Sequence, residues 1–162
     1  MSTSTWFARP GTNPGHRAVT YDERLVPAGS RVTVTQRGTS ETTEVELKVV
    51  GLLPNRAYGT HVHTQPCGLR PGSTGVHYQN RVDPHQPSVD PAYANKENEV
   101  WLGFTTDKEG QGLGKSTHSW RFRQGEARSV VLHEHATRTG QGVAGTAGKA
   151  VACFSVPFRQ GL

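Results

Sequence analysis

The sequence predicts an all-β protein, a single antiparallel sandwich or barrel of six to eight strands, and three observations carry that expectation. Hydrophobic residues make up only 33% of the 162 residues and aromatics 7%, too few for long amphipathic helices. Glycine (19) and proline (10) are frequent, which suits many turns. Short runs alternate apolar and polar residues with the period of two expected of half-buried strands.

Taken in order, residues 1–15 contain Pro10, Gly11, Pro14 and Gly15 and read as a flexible N-terminal arm, leaving 16–162 as one β-barrel domain. From Arg31 to Val50, Val32 and Val34 alternate in one run and Val45, Leu47 and Val49 in a second, on either side of the turn-forming Gly38, Thr39 and Ser40, which predicts a hairpin. The same alternation predicts strands at Tyr58–His63, Val100–Thr105, Trp120–Arg123, Ser129–His133 and Val151–Val156. Two long segments break the pattern. Residues 64–98 carry Pro66, Pro71, Pro84, Pro87 and Pro91, too many for regular sheet, and residues 136–149 are rich in Gly, Ala and Thr. Loops of this length inside a compact domain are functional more often than ornamental.

Eighteen Lys and Arg against 13 Asp and Glu leave a net charge of +5, but the basic residues are scattered singly and form no stripe interleaved with aromatics. A nucleic-acid partner is not expected on that pattern. No window is apolar enough to span a bilayer and the first thirty residues lack the apolar core of a secretory leader, so no membrane partner is expected. As printed the chain reads as cytoplasmic, or as exported with its leader removed. Cys67 and Cys153 match no CxxC spacing, which excludes a thiolate zinc site and a thioredoxin-like pair and leaves a long-range disulfide open.

The chemistry lies in the histidines. His61 and His63 stand at i and i+2 in YGTHVHT, so both imidazoles leave the strand on one face. His77 lies in the long loop, in GVHYQN, and His133 ends the strand SVVLHEH. Four neutral imidazoles suit copper, zinc, nickel or iron, and a flattened four-nitrogen set favours Cu(II). His16 and His118 have no histidine neighbours and read as hydrogen-bonded or surface residues.

The segments GLLPNRAYGTHVHTQPCG, GVHYQN, TTDKEGQG, SVVLHEH and AGTAGKAVAC, in this order, resemble the successive signatures of the copper/zinc superoxide dismutase family over roughly residues 17–158. The resemblance implies an eight-stranded antiparallel Greek-key barrel with a long Pro-rich loop. It implies that His61, His63, His77 and His133 bind one copper per chain, that His77 takes part in catalysis, and that Cys67 and Cys153 form a disulfide. A homodimer is compatible with it.

The chain departs from the family at two places. His77 would bridge copper to zinc, whose next ligand falls on His85, but the second further histidine has no counterpart and the aspartate position falls on Glu97, Glu99 or Val100. The acid expected four residues after His133 is Thr137. Copper without zinc is therefore expected, with Glu97 or Glu99 as the carboxylate that fixes the His77 ring; His77 and His85 with Asp83 or Asp90 would make a residual zinc site. The second departure is the substrate-guiding arginine, replaced by Ala150 after Lys149. Lys149, His135 and Arg138 are the candidate cations for attracting an anion.

The expected activity is copper-dependent disproportionation of superoxide at reduced efficiency. Two alternatives share the scaffold: a copper oxidase acting on an organic substrate, with Tyr78, Tyr93 and Trp101 near the pocket, and a copper-binding barrel without turnover.

Overall fold

The computed structural model describes residues 1–160; Gly161 and Leu162, the last two of the expected domain, lie outside the described residues. Ten strands form: β1 (Ser2–Trp6), β2 (Ala18–Thr20), β3 (Arg31–Gly38), β4 (Thr43–Val50), β5 (Ala57–Tyr58), β6 (Thr60–His63), β7 (Phe104–Thr105), β8 (Gly112–His118), β9 (Ser129–His133) and β10 (Ala150–Ser155). Eight of them build two four-stranded antiparallel sheets, ordered β1-β3-β4-β8 and β2-β10-β9-β6, while β5 and β7 pair separately. The chain passes repeatedly between the sheets, the Greek-key pattern of the expected all-β fold.

The hairpin predicted over Arg31–Val50 forms with Val32 opposite Val49 and Val34 opposite Leu47. Those side chains meet Val62, Val130, Leu132, Ala152 and Phe154 of the second sheet in one buried core. Period-two burial decides which face of each strand points inward.

Three expectations are corrected, the first being the strand over Val100–Thr105, of which only Phe104–Thr105 forms as β7. The N-terminal arm begins with a strand: Ser2–Trp6 pairs along β3, Ser4 Oγ lies 2.8 Å from Thr33 Oγ1, and Phe7 is fully buried. This strand is built from hydroxyl residues, so an apolar alternation never shows it. Trp120–Arg123 is not a strand; Phe122 packs edge-to-face on Tyr78 at 4.9 Å as irregular backbone. The fourth strand of the first sheet is instead Gly112–His118, whose glycines carry no hydrophobic signal. Gly114 is required there because a Cβ would stand 2.0 Å from the Leu102 carbonyl oxygen.

The second sheet has two functional faces. Thr60, Val62, Val130 and Leu132 turn toward the core or are buried beside it, while His61, His63, Val131 and Cys153 share the opposite face by register. The long loop covers that opposite face. A disulfide joins Cys67 to Cys153 with Cα atoms 5.8 Å apart, and the Tyr21 hydroxyl donates to the Gly68 carbonyl at 2.7 Å, so the start of the loop is held on β10 and β2.

Candidate metal centre

Strand β6 places two of the four histidines. It pairs with β9 along one edge, while on the other its Val62 N–H donates to Val100 O and its carbonyl accepts from Tyr78 N–H at 2.8 Å. The segments carrying His77 and Glu99 are thereby stitched beside His61 and His63. His133 ends β9, where its N–H donates to the Gly59 carbonyl at 2.7 Å.

The four imidazoles converge. One ring nitrogen from each of His61, His63 and His133 lies within 4.8 Å of the others. The His77 ring stacks on His61 at 4.2 Å between centroids and meets His63 edge-on at 4.7 Å. His61, His63 and His133 are buried, and His77 keeps 20% of its side chain exposed.

Hydrogen bonds fix the tautomers. His63 Nδ1–H donates to the Gly75 carbonyl at 3.0 Å, which leaves the Nε2 lone pair bare. His77 Nδ1–H donates to Glu99 Oε1 at 2.7 Å, again freeing Nε2. His61 Nε2 is 2.8 Å from the Thr137 hydroxyl. Among the described residues, four buried side-chain nitrogens lack any partner, and three of them are His61 Nδ1, His63 Nε2 and His133 Nδ1; the fourth is Arg56 Nε. Each orphaned polar atom costs roughly 1–3 kcal/mol unless something fills it. A metal with a preference for nitrogen fits this arrangement.

Electrostatics point the same way. Burial, then the neighbouring imidazoles of His77, His133 and His63, pushes the His61 ring well below the usual histidine range. His63 is lowered by the same causes, burial first. His133 is pushed down to about 4 by burial and by His77. Neutral imidazoles are the form a metal binds.

Glu99 is the centre of a buried network. Its Oε1 accepts from His77 Nδ1 and, at 2.8 Å, from the Trp101 indole, and its Oε2 accepts from Gln79 Nε2 at 2.8 Å. Glu97, two residues earlier, is exposed; its N–H donates to Asn95 Oδ1, and its carbonyl meets the Trp120 indole and His118. His85 is exposed, and its N–H is bound by Asp83, whose other carboxylate oxygen takes Ser88. Asp90 binds the backbone of Ala92. None of these residues joins the histidine group. The roles of Gln79 and Trp101 were invisible in composition, although Trp101 stands at i+2 from Glu99, the strand spacing that brings two side chains to one side.

Ala150 stands opposite His133 across β10 and β9, beside a bulge. Lys149 is exposed and its backbone N–H binds Glu134 Oε1 at 3.2 Å; His135 is exposed with Nε2 3.4 Å from the same oxygen; Arg138 is exposed on the loop beyond. Tyr78 is fully buried, and Tyr93 carries the Arg81 guanidinium over its ring at 4.8 Å. Gly145, with φ +83°, brings the last long loop over the site, where a Cβ would lie 3.7 Å from His77 Cε1 and from Glu99 Oε1.

Comparison with known proteins places this geometry. A family profile described as copper/zinc superoxide dismutase matches residues 28–156. No curated protein matches the chain significantly. A solved structure, a proline-to-histidine mutant of an SOD-like protein from Bacillus subtilis, superposes with a TM-score of 0.59 at 14% identity, covering 86% of this chain and 94% of that one. At that identity the likeness is one of fold.

Proposed function

Since the chain belongs to the copper/zinc superoxide dismutase family, we propose that it is a copper-dependent superoxide dismutase whose zinc has been replaced by a carboxylate. The observation that carries the reading is the set of unpartnered buried ring nitrogens on His61, His63 and His133, beside a His77 whose Nδ1 is already committed to Glu99. His61, His63, His77 and His133 would hold copper. Bound copper would supply a one-electron couple, so that two superoxide ions and two protons yield dioxygen and hydrogen peroxide.

The residues of the chain supply orientation and protons. Glu99 holds the His77 ring by a charge-assisted hydrogen bond, and Trp101 and Gln79 hold Glu99, so the ring needs no second metal to keep its direction. His77 is the most open of the four histidines, and its Nε2 is the atom placed to carry a proton toward peroxide. Lacking a cation at Ala150, the site attracts superoxide through the general positive charge of the protein, which favours a reduced rate.

The test is metal content by elemental analysis after exposure to copper and zinc together, with superoxide consumption measured on the same sample. One copper per chain, no zinc and copper-dependent turnover are expected. Copper uptake with turnover no faster than free copper would defeat the dismutase reading, and absence of bound copper would defeat the site.

A further inference from the structure

We propose that the cleft behind the metal centre is a binding site for a small aromatic monoanion, a carboxylate on a planar ring. The cleft has a volume of about 660 Å³, within the range of small-molecule sites. Superoxide, a diatomic ion, needs no such space. None of the four histidines lines it. Its occupant is therefore a different molecule from the redox substrate.

The lining names the chemistry. Its lining includes the aromatic residues Trp101 and Phe104 and the charged residues Lys96, Lys115 and Glu97. Lys96 makes no ion pair among the described residues; Lys115 lies 3.5 Å from Glu44, an exposed pair that holds it weakly. Lys96, an ammonium free of ion pairs among the described residues, stands beside an aromatic surface and selects one negative charge on a ring.

Gly103 supplies the independent observation. Its backbone does not adopt the left-handed region, and a Cβ there would meet only Tyr58 O at 3.6 Å and Gly59 Cα at 3.9 Å, ordinary contacts. Neither strain nor packing requires glycine at this position. A side chain would project into the cleft and fill it. Gly59, on the same lining, differs: its Cβ would stand 2.5 Å from Ala147 Cβ and from His135 O, so packing alone explains it.

The site touches the metal shell from behind. Thr137, which lines the cleft, binds His61, and Trp101 binds Glu99, so a ligand would rest on two groups that orient the histidines. The proposal does not need copper, and its test uses the metal-free full chain, so its failure and that of the dismutase reading are separate.

The experiment is a titration of the isotope-labelled chain with naphthalene-2-carboxylate, following the Trp101 indole N–H and the Gly103 and Thr137 amides by NMR. Saturable shifts with a Kd at or below about 1 mM are expected, weakened about threefold or more by Lys96→Gln. The neutral naphthalene-2-methanol should bind more weakly, and Gly103→Leu should abolish the shifts while keeping native dispersion. Lack of saturation at about 10 mM, equal binding of the neutral alcohol, or unchanged binding to the Lys96→Gln protein, which alters only an exposed side chain, would overturn the proposal.

Discussion

The Glu99 carboxylate accepts the Nδ1–H of His77 at 2.7 Å from a position only 1% exposed to solvent, and it also accepts from the Trp101 indole and the Gln79 amide. Three donors around one buried acid make a rigid mount for a single imidazole.

Glu99→Gln keeps the volume and removes the charge that His77 faces. The expected result is a loss of roughly 10–100-fold in copper affinity or copper-dependent turnover, together with a changed copper EPR spectrum. Glu97→Gln, at the exposed neighbour, serves as the control and leaves both unchanged. Equal behaviour of the two variants would remove Glu99 from the centre.

Thr137 takes the partnership with His61 Nε2 where the family carries an acid. Thr137→Val deletes the hydroxyl at nearly constant volume and leaves that nitrogen without its 2.8 Å partner. Copper affinity measured by chelator competition should fall by roughly tenfold and recover in Thr137→Ser. Full affinity in the valine variant would show that the hydroxyl does not orient the ring.

The metal-free protein should lose stability as pH falls through the range in which exposed histidines protonate. His133 titrates at about 4 in the folded chain, against roughly 6.5 when unfolded. The unfolded chain therefore takes up the proton first, so the stabilisation is complete above pH about 6.5 and is lost progressively down to about 4. The size is on the order of 3 kcal/mol for this one group, and His61 and His63 act in the same direction. Urea midpoints across this range check it: His133→Gln should flatten the slope, and an unaltered slope would contradict the assignment.

Cys67→Ser opens a link that spans 86 residues and holds the long loop to β10. A cost of roughly 2–4 kcal/mol in unfolding free energy is expected, with faster amide exchange at Gly75 and His77 than at Val34 and Leu47. Uniform exchange across all four would mean that the disulfide does not hold the loop.

The core hairpin and the histidines were legible because they obey strict periods: valines alternate through Val32–Val49, and His61 and His63 sit two apart. What stayed hidden depended on contacts between segments distant in sequence. Ser2–Trp6 and Gly112–His118 earn their places as strands from ladder bonds and close backbone approach, neither of which has an apolar signature. Glu97 and Glu99 differ by two residues of register, and the bridge of Gln79 to Glu99 brings the Glu99 carboxylate into the interior beside His77. Beside the bulge at Ala150, Lys149 is tied to Glu134 through its backbone N–H, a contact that no side-chain pattern announces.

A carboxylate built into the polypeptide differs from a bound ion in one practical respect: it cannot be chelated, diluted away or outcompeted. With Glu99 in this position, the alignment of His77 is acquired when the chain folds. The proposed enzyme would then depend on the cellular supply of one metal rather than two, and zinc starvation would leave it working.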